Sequence, residues 1–112
     1  MMLIKTTDDV DELLMKSKEQ PVLFFKHSTN NELSATAHKE FVEFSKHPHC
    51  ALLAQVNVIE DRPVSTYIAE ELKVEHEPPQ VILVHRGMVV WRASGKDITA
   101  EALNAAVSVH CT

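Results

Sequence analysis

Two short runs constrain most of what this chain can become. Val22–Phe25 and Val81–Val84 are unbroken apolar tetrapeptides, entered from Pro21 and from the Pro78-Pro79-Gln80 segment. A run of this length without alternation suits a strand buried on both faces. A sheet buried on both faces needs helices above and below it.

The intervening segments supply those helices. Thr7 is a candidate N-cap, with Asp8 and Asp9 in the first turn, and Val10, Leu13 and Leu14 mark one helical face. The first helix is expected over about residues 8 to 18, ending before Pro21. Leu33, Ala37, Phe41 and Phe44 recur at helical steps, and this second helix stops near His47-Pro48. Leu52–Ile59 reads as a strand. Pro63 fits the first turn of a third helix, with Val64, Ile68 and Leu72 inward and Tyr67 beside them. Arg86-Gly87 makes a tight turn into a partner strand, Met88–Trp91. Asp97 or Thr99 begins a last helix, with Leu103, Ala106 and Val107 on its inner face.

The order αβαβαββα implies parallel pairing through right-handed crossovers, with a closing antiparallel hairpin. The expected architecture is a three-layer α/β/α sandwich around a four-stranded mixed sheet, with a thioredoxin-like order of elements. The 112 residues fit one domain, 1–112, and two glycines and five prolines leave little linker material.

Charge and cysteine usage narrow the function. The net charge is −5 and the basic residues are scattered, so no face suits a nucleic acid. No run approaches the ~18 apolar residues that span a bilayer, and MMLIKTTDDVDELL turns acidic too early for a secretory signal. The expected location is the cytoplasm. Cys50 and Cys111 lie far apart in sequence and are expected to be free thiols in that reducing setting.

The first strand runs through FKHST into a helix start. Backbone N–H groups there lack partners, and the helix dipole adds positive charge. A cysteine at such a place has its pKa lowered and becomes a usable thiolate. This chain has Thr29-Asn30-Asn31-Glu32 instead, which reads as a capping box between Thr29 and Glu32.

Three segments resemble the monothiol bacilliredoxin-like proteins, the YtxJ-type, bacillithiol-associated family of the thioredoxin fold. They are FKHST followed by LS, then HEPPQVIL, then GMVVWRASGKDIT, with Trp91 and Asp97-Ile98-Thr99. The resemblance implies a small bacterial cytosolic oxidoreductase acting in redox homeostasis, with bacillithiol or protein mixed disulfides as partners and no cofactor. Its single cysteine would attack the disulfide sulfur and take up the bacillithiol. The family pattern is Thr, a variable residue, Cys, Pro, an aliphatic residue and Ser. It falls here on Thr29, Asn30, Asn31, Glu32, Leu33 and Ser34, so Asn31 stands where the nucleophile belongs. The resemblance also aligns Pro79 with the family's cis proline, and Pro78 replaces the serine before it. The implied ligand groove is Thr29, Asn30, Asn31, Pro78 and Pro79.

Other chemistry is less well supported. His47-Pro48-His49-Cys50 is the tightest cluster of ligand types, but no second pair lies at familiar zinc spacing, and no metal site is expected. Ser28 or Thr29 beside His27 lacks an acidic third partner, and neighbouring strand residues point to opposite faces. Two readings of function follow. One is a thiol-disulfide oxidoreductase family member without its usual exchange activity. The other is a non-catalytic binding or regulatory module for a peptide or low-molecular-weight thiol. A third possibility assigns redox chemistry to Cys50.

Overall fold

A computed structural model describes residues 1–111. The elements are β1 (Met2–Leu3), α1 (Thr7–Lys16), β2 (Val22–His27), α2 (Glu32–Ser45), β3 (Leu52–Asn57), α3 (Arg62–Leu72), β4 (Gln80–His85), β5 (Met88–Ser94), a short 3-10 turn (Gly95–Asp97) and α4 (Ala100–Ser108). The sheet has five strands, in the order β1-β3-β2-β4-β5. β1, β3 and β2 run parallel; β4 is antiparallel to β2, and β5 to β4.

This corrects the expected four strands. β1 is only two residues, Met2 and Leu3 opposite Ala54 and Gln55, too short to carry a period. The cap of α1 is Thr6 rather than Thr7, in a capping box with Asp9. Thr99 caps α4, and Asp97 belongs to the 3-10 turn before it. Arg86 and Gly87 both take positive φ, 58° and 77°, as a two-residue hairpin that follows the sheet twist requires.

The sheet divides the core into two layers. Val22, Phe24, Val56, Ile82 and Val84 pack with Val10 and Leu13 of α1 and Val64 and Ile68 of α3. Leu23, Phe25, Val81 and Leu83 pack with Ala37, Phe41 and Phe44 of α2 and Leu103 and Val107 of α4. One inward position of α2 departs from the expected face: Leu33 is exposed, and Ser34 is buried in its place. Among the described residues no helix is long and apolar enough to cross a membrane.

The cysteines are not free thiols. Cys50 and Cys111 form a disulfide, with their Cα atoms 5.5 Å apart. The fold explains the pairing, because α4 ends beside the loop that enters β3, and Cys50 and Cys111 pack against the same core layer. Closing a loop between residues 61 positions apart restricts the unfolded chain. Reduction followed by alkylation is therefore expected to lower the unfolding free energy by about 2–4 kcal/mol in urea titrations.

Candidate functional site at the start of helix α2

β2 delivers the chain to the site, and β4 leaves from it. Lys26 lies opposite Gln80 in the antiparallel ladder, so the loop after His27 and the Pro78–Pro79 segment share one end of the sheet. The Pro78–Pro79 peptide bond is cis. The backbone N–H of Gly95 donates to the Pro79 carbonyl at 2.9 Å. Gly95 has φ of +57°, and a Cβ there would lie 3.5 Å from the Leu33 side chain. Gly95 thus ties the proline segment to the first turn of α2, in a backbone conformation that favours glycine.

Asn31 caps α2. Its Oδ1 accepts from the N–H of Leu33 at 2.8 Å and of Ser34 at 3.2 Å. This corrects the capping box expected between Thr29 and Glu32. A turn closed by the Asn31 N–H on the Ser28 carbonyl, 3.2 Å, postpones the helix by two residues. Glu32 becomes the first helical residue, and Asn31 takes the place an Asx side chain favours. The Thr29 hydroxyl instead donates to Glu60 Oε1 at 2.8 Å, tying the loop to the segment after β3. Thr29, Asn30 and Asn31 are exposed, Pro78 is half-buried and Pro79 is buried.

Behind the loop, Ser34 is a buried brace. Its Oγ accepts from the N–H of Ser28 at 2.9 Å and lies 2.8 Å from His27 Nδ1. The hydroxyl can donate to Nδ1 or, through its second lone pair, accept from it, according to the imidazole tautomer. The His27 ring packs in a cluster with Phe25 and His38, its centroid 5.5 and 4.8 Å from theirs. Burial, then the nearby His38, lowers its pKa, and Glu60 opposes this. The hydroxyl that meets His27 is therefore Ser34, sealed from solvent, and not Ser28 or Thr29.

On the other face of β2, Lys26 is fully buried. Its Nζ lies 3.0 Å from His76 Nδ1, and the Ser65 hydroxyl reaches the same nitrogen at 3.5 Å. Burial lowers the Lys26 pKa to about 8. His76 is lowered by burial first, then by Lys26 and Arg62, so a neutral His76 accepts from the ammonium. Gln80 holds the proline segment from beneath: its Nε2 donates to the Glu75 carbonyl at 2.9 Å, and its Oε1 accepts from Glu77 N–H at 3.4 Å.

Lys26, Ser34, Glu60 and Gln80 are members of the site that residue pattern alone passes over. His27 and His76 lie at this end of the sheet and His85 at the other. In the His47-Pro48-His49-Cys50 cluster, Cys50 is committed to the disulfide, and no metal-holding group of three His, Cys, Asp or Glu occurs among the described residues.

A strand ending in a loop, a capped helix and a facing cis proline define a protein of the thioredoxin fold. The sequence profile of the family described as "Monothiol bacilliredoxin BrxC" matches residues 2–103, and the chain belongs to that family. Among solved structures, a protein with a thioredoxin fold described as a candidate oxidoreductase is 26% identical. It superposes with a TM-score of 0.81 over 94% of this chain and 91% of its own. Thioredoxin from Fasciola hepatica is 17% identical, with a TM-score of 0.78 over 98% and 99% of the two chains. Thioredoxin from Malassezia sympodialis is 18% identical, with a TM-score of 0.77 over 97% and 89%. At such identities the two thioredoxins bear on the fold alone.

Two predictions follow from this geometry. Asn31→Ala removes the acceptor for two helix N–H groups and is expected to destabilise the protein by about 1 kcal/mol, whereas Asn31→Asp keeps it, as thermal unfolding will test. The folded Lys26 pKa lies below its unfolded value, so between about pH 8 and 10.5 the unfolded chain binds more protons than the folded one. Stability from this group therefore rises with pH across that window. Urea titrations are expected to show wild type gaining on Lys26→Met from pH 8 to 10.

Proposed function

We propose that this bacilliredoxin family member lacks monothiol disulfide exchange at the start of α2 and keeps the surrounding groove as a binding surface. The observation that carries this reading is Asn31. Exchange needs a thiolate that attacks a disulfide sulfur and is later released. A carboxamide has no such chemistry. Its oxygen also occupies the Leu33 and Ser34 N–H groups that would stabilise a thiolate. The chain's two cysteines are joined to each other at the far end of the sheet, roughly 17 Å away along six-residue strands.

In this reading Thr29, Asn30, Asn31, Pro78 and Pro79 form the groove, and its ligand is an extended peptide or a low-molecular-weight thiol such as bacillithiol. Pro78 and Pro79 have no N–H, and the Pro79 carbonyl already accepts from Gly95, so the wall offers the Pro78 carbonyl and a ligand must bring the donor. The family points to a bacterial cytoplasmic setting, and both belong to the proposal.

Intact mass after incubation with oxidised bacillithiol, with peptide mapping, tests the reading. Wild type is expected to gain no adduct, and Asn31→Cys is expected to gain one at residue 31 that a reductant removes. Removal of bacillithiol from a protein mixed disulfide by wild type with Cys50 and Cys111 still joined would overturn the proposal. Absence of an adduct on Asn31→Cys would mean that the groove does not take this thiol.

A further inference from the structure

The far end of the sheet holds a second cluster that the groove does not explain. Cys50 and Cys111 line a cleft of about 330 Å³ together with Lys18, Arg86, His85 and His110. That volume is at the small end of ligand-holding clefts. Both cysteines are half-buried, so the disulfide is open to a small molecule and not sealed in the core. The protein carries a net charge of −5, yet among the described residues this cleft sets Lys18 and Arg86 against the carboxylate of Glu19.

The side chains beside the sulfurs suit proton transfer. His85 Nδ1 and His110 Nδ1 lie 3.2 Å apart, with the rings edge to face. One Nδ1 donates to the other according to their tautomers, and the remaining ring nitrogens are left to take up and release a proton. His110 is adjacent in sequence to Cys111. The two sulfurs are also not equivalent. The Cys50 backbone N–H donates to Cys111 Sγ at 3.3 Å. A hydrogen bond to sulfur favours its thiolate, and the sulfur that leaves more readily is the one with the lower pKa.

We propose that the Cys50–Cys111 disulfide is a second, thiol-reactive redox centre whose cleft takes a small anionic thiol. The thiolate attacks Cys50 Sγ and forms a mixed disulfide there. The Cys50–Cys111 bond breaks, and its electron pair leaves on Cys111 Sγ, held by the Cys50 N–H and protonated by the imidazolium that the His85–His110 pair becomes on taking the incoming thiol's proton. A second thiolate attacks the bound thiol's sulfur, releasing the small-molecule disulfide and the Cys50 thiolate. The disulfide gains two electrons, two thiols are oxidised, and their protons end on Cys50 and Cys111. Lys18 and Arg86 select an anionic thiol over a cationic one.

The test uses the whole chain in its disulfide form, with glutathione as the anionic thiol and cysteamine as the cationic one. Reactions are quenched with an alkylating agent and read by intact mass and peptide mapping. The expected intermediate carries glutathione on Cys50 and the alkyl group on Cys111. The ratio of glutathione to cysteamine rates is expected to fall about three- to tenfold in Lys18→Ala/Arg86→Asn, since each exposed charge contributes modestly. Asn is chosen at Arg86 because it tolerates the positive φ there. His110→Ala is expected to slow the reaction and change its pH profile. Glutathione found on Cys111, an unchanged rate ratio in the double variant, or reduction no faster than global unfolding would each overturn the proposal.

Discussion

The two-sided pairing of β2 is the constraint on which the rest of the molecule depends. On one side it runs parallel with β3, Val22 to His27 against Leu52 to Asn57. On the other it runs antiparallel with β4, Val22 against Val84 and Lys26 against Gln80. One strand end therefore places the helix start and the proline segment together. The opposite end places the β3 entry beside the β4–β5 turn, where α4 arrives with Cys111. A register slip of one residue would send Phe24 and Phe25 to each other's layers and separate both sites.

β2 also carries the least expected side chain of the fold. Lys26 follows four buried apolar residues and is buried itself. A buried ammonium is costly unless a partner receives it. Here the partner is a neutral imidazole, His76, and not a carboxylate. The cationic centre lies beneath the segment that Gln80 anchors to Glu75 and Glu77.

What the sequence disclosed follows the length and sharpness of each signal. β2, β4, α2 and α3 were legible because buried strands leave unbroken apolar runs and buried helix faces leave a period. β1 was not, because two residues have no period. Leu33 and Ser34 exchanged roles because Ser34 finds hydrogen bonds with Ser28 and His27, which make a hydroxyl tolerable inside. The helix start was legible as a capped one, but Thr29 and Asn31 are both good caps, and the Ser28–Asn31 turn decides between them. The family pattern is what sets Asn31 at the nucleophile's position in the proposal. The disulfide was not, because its closure depends on where α4 ends. Lys26 lies just beyond the apolar run Val22–Phe25, and nothing local marks His76 as its acceptor.

The central claim is that the start of α2 remains a thiolate-stabilising seat whose sulfur is missing. The most direct test is the thiol pKa of Asn31→Cys, measured by thiolate absorbance against pH with Cys50 and Cys111 still joined. The account predicts a value clearly below the ~8.5 of a free cysteine, set by the N–H groups of Leu33 and Ser34 and the helix dipole. A value at or above about 8.5 would contradict it, because a helix end unable to stabilise a thiolate was never that seat.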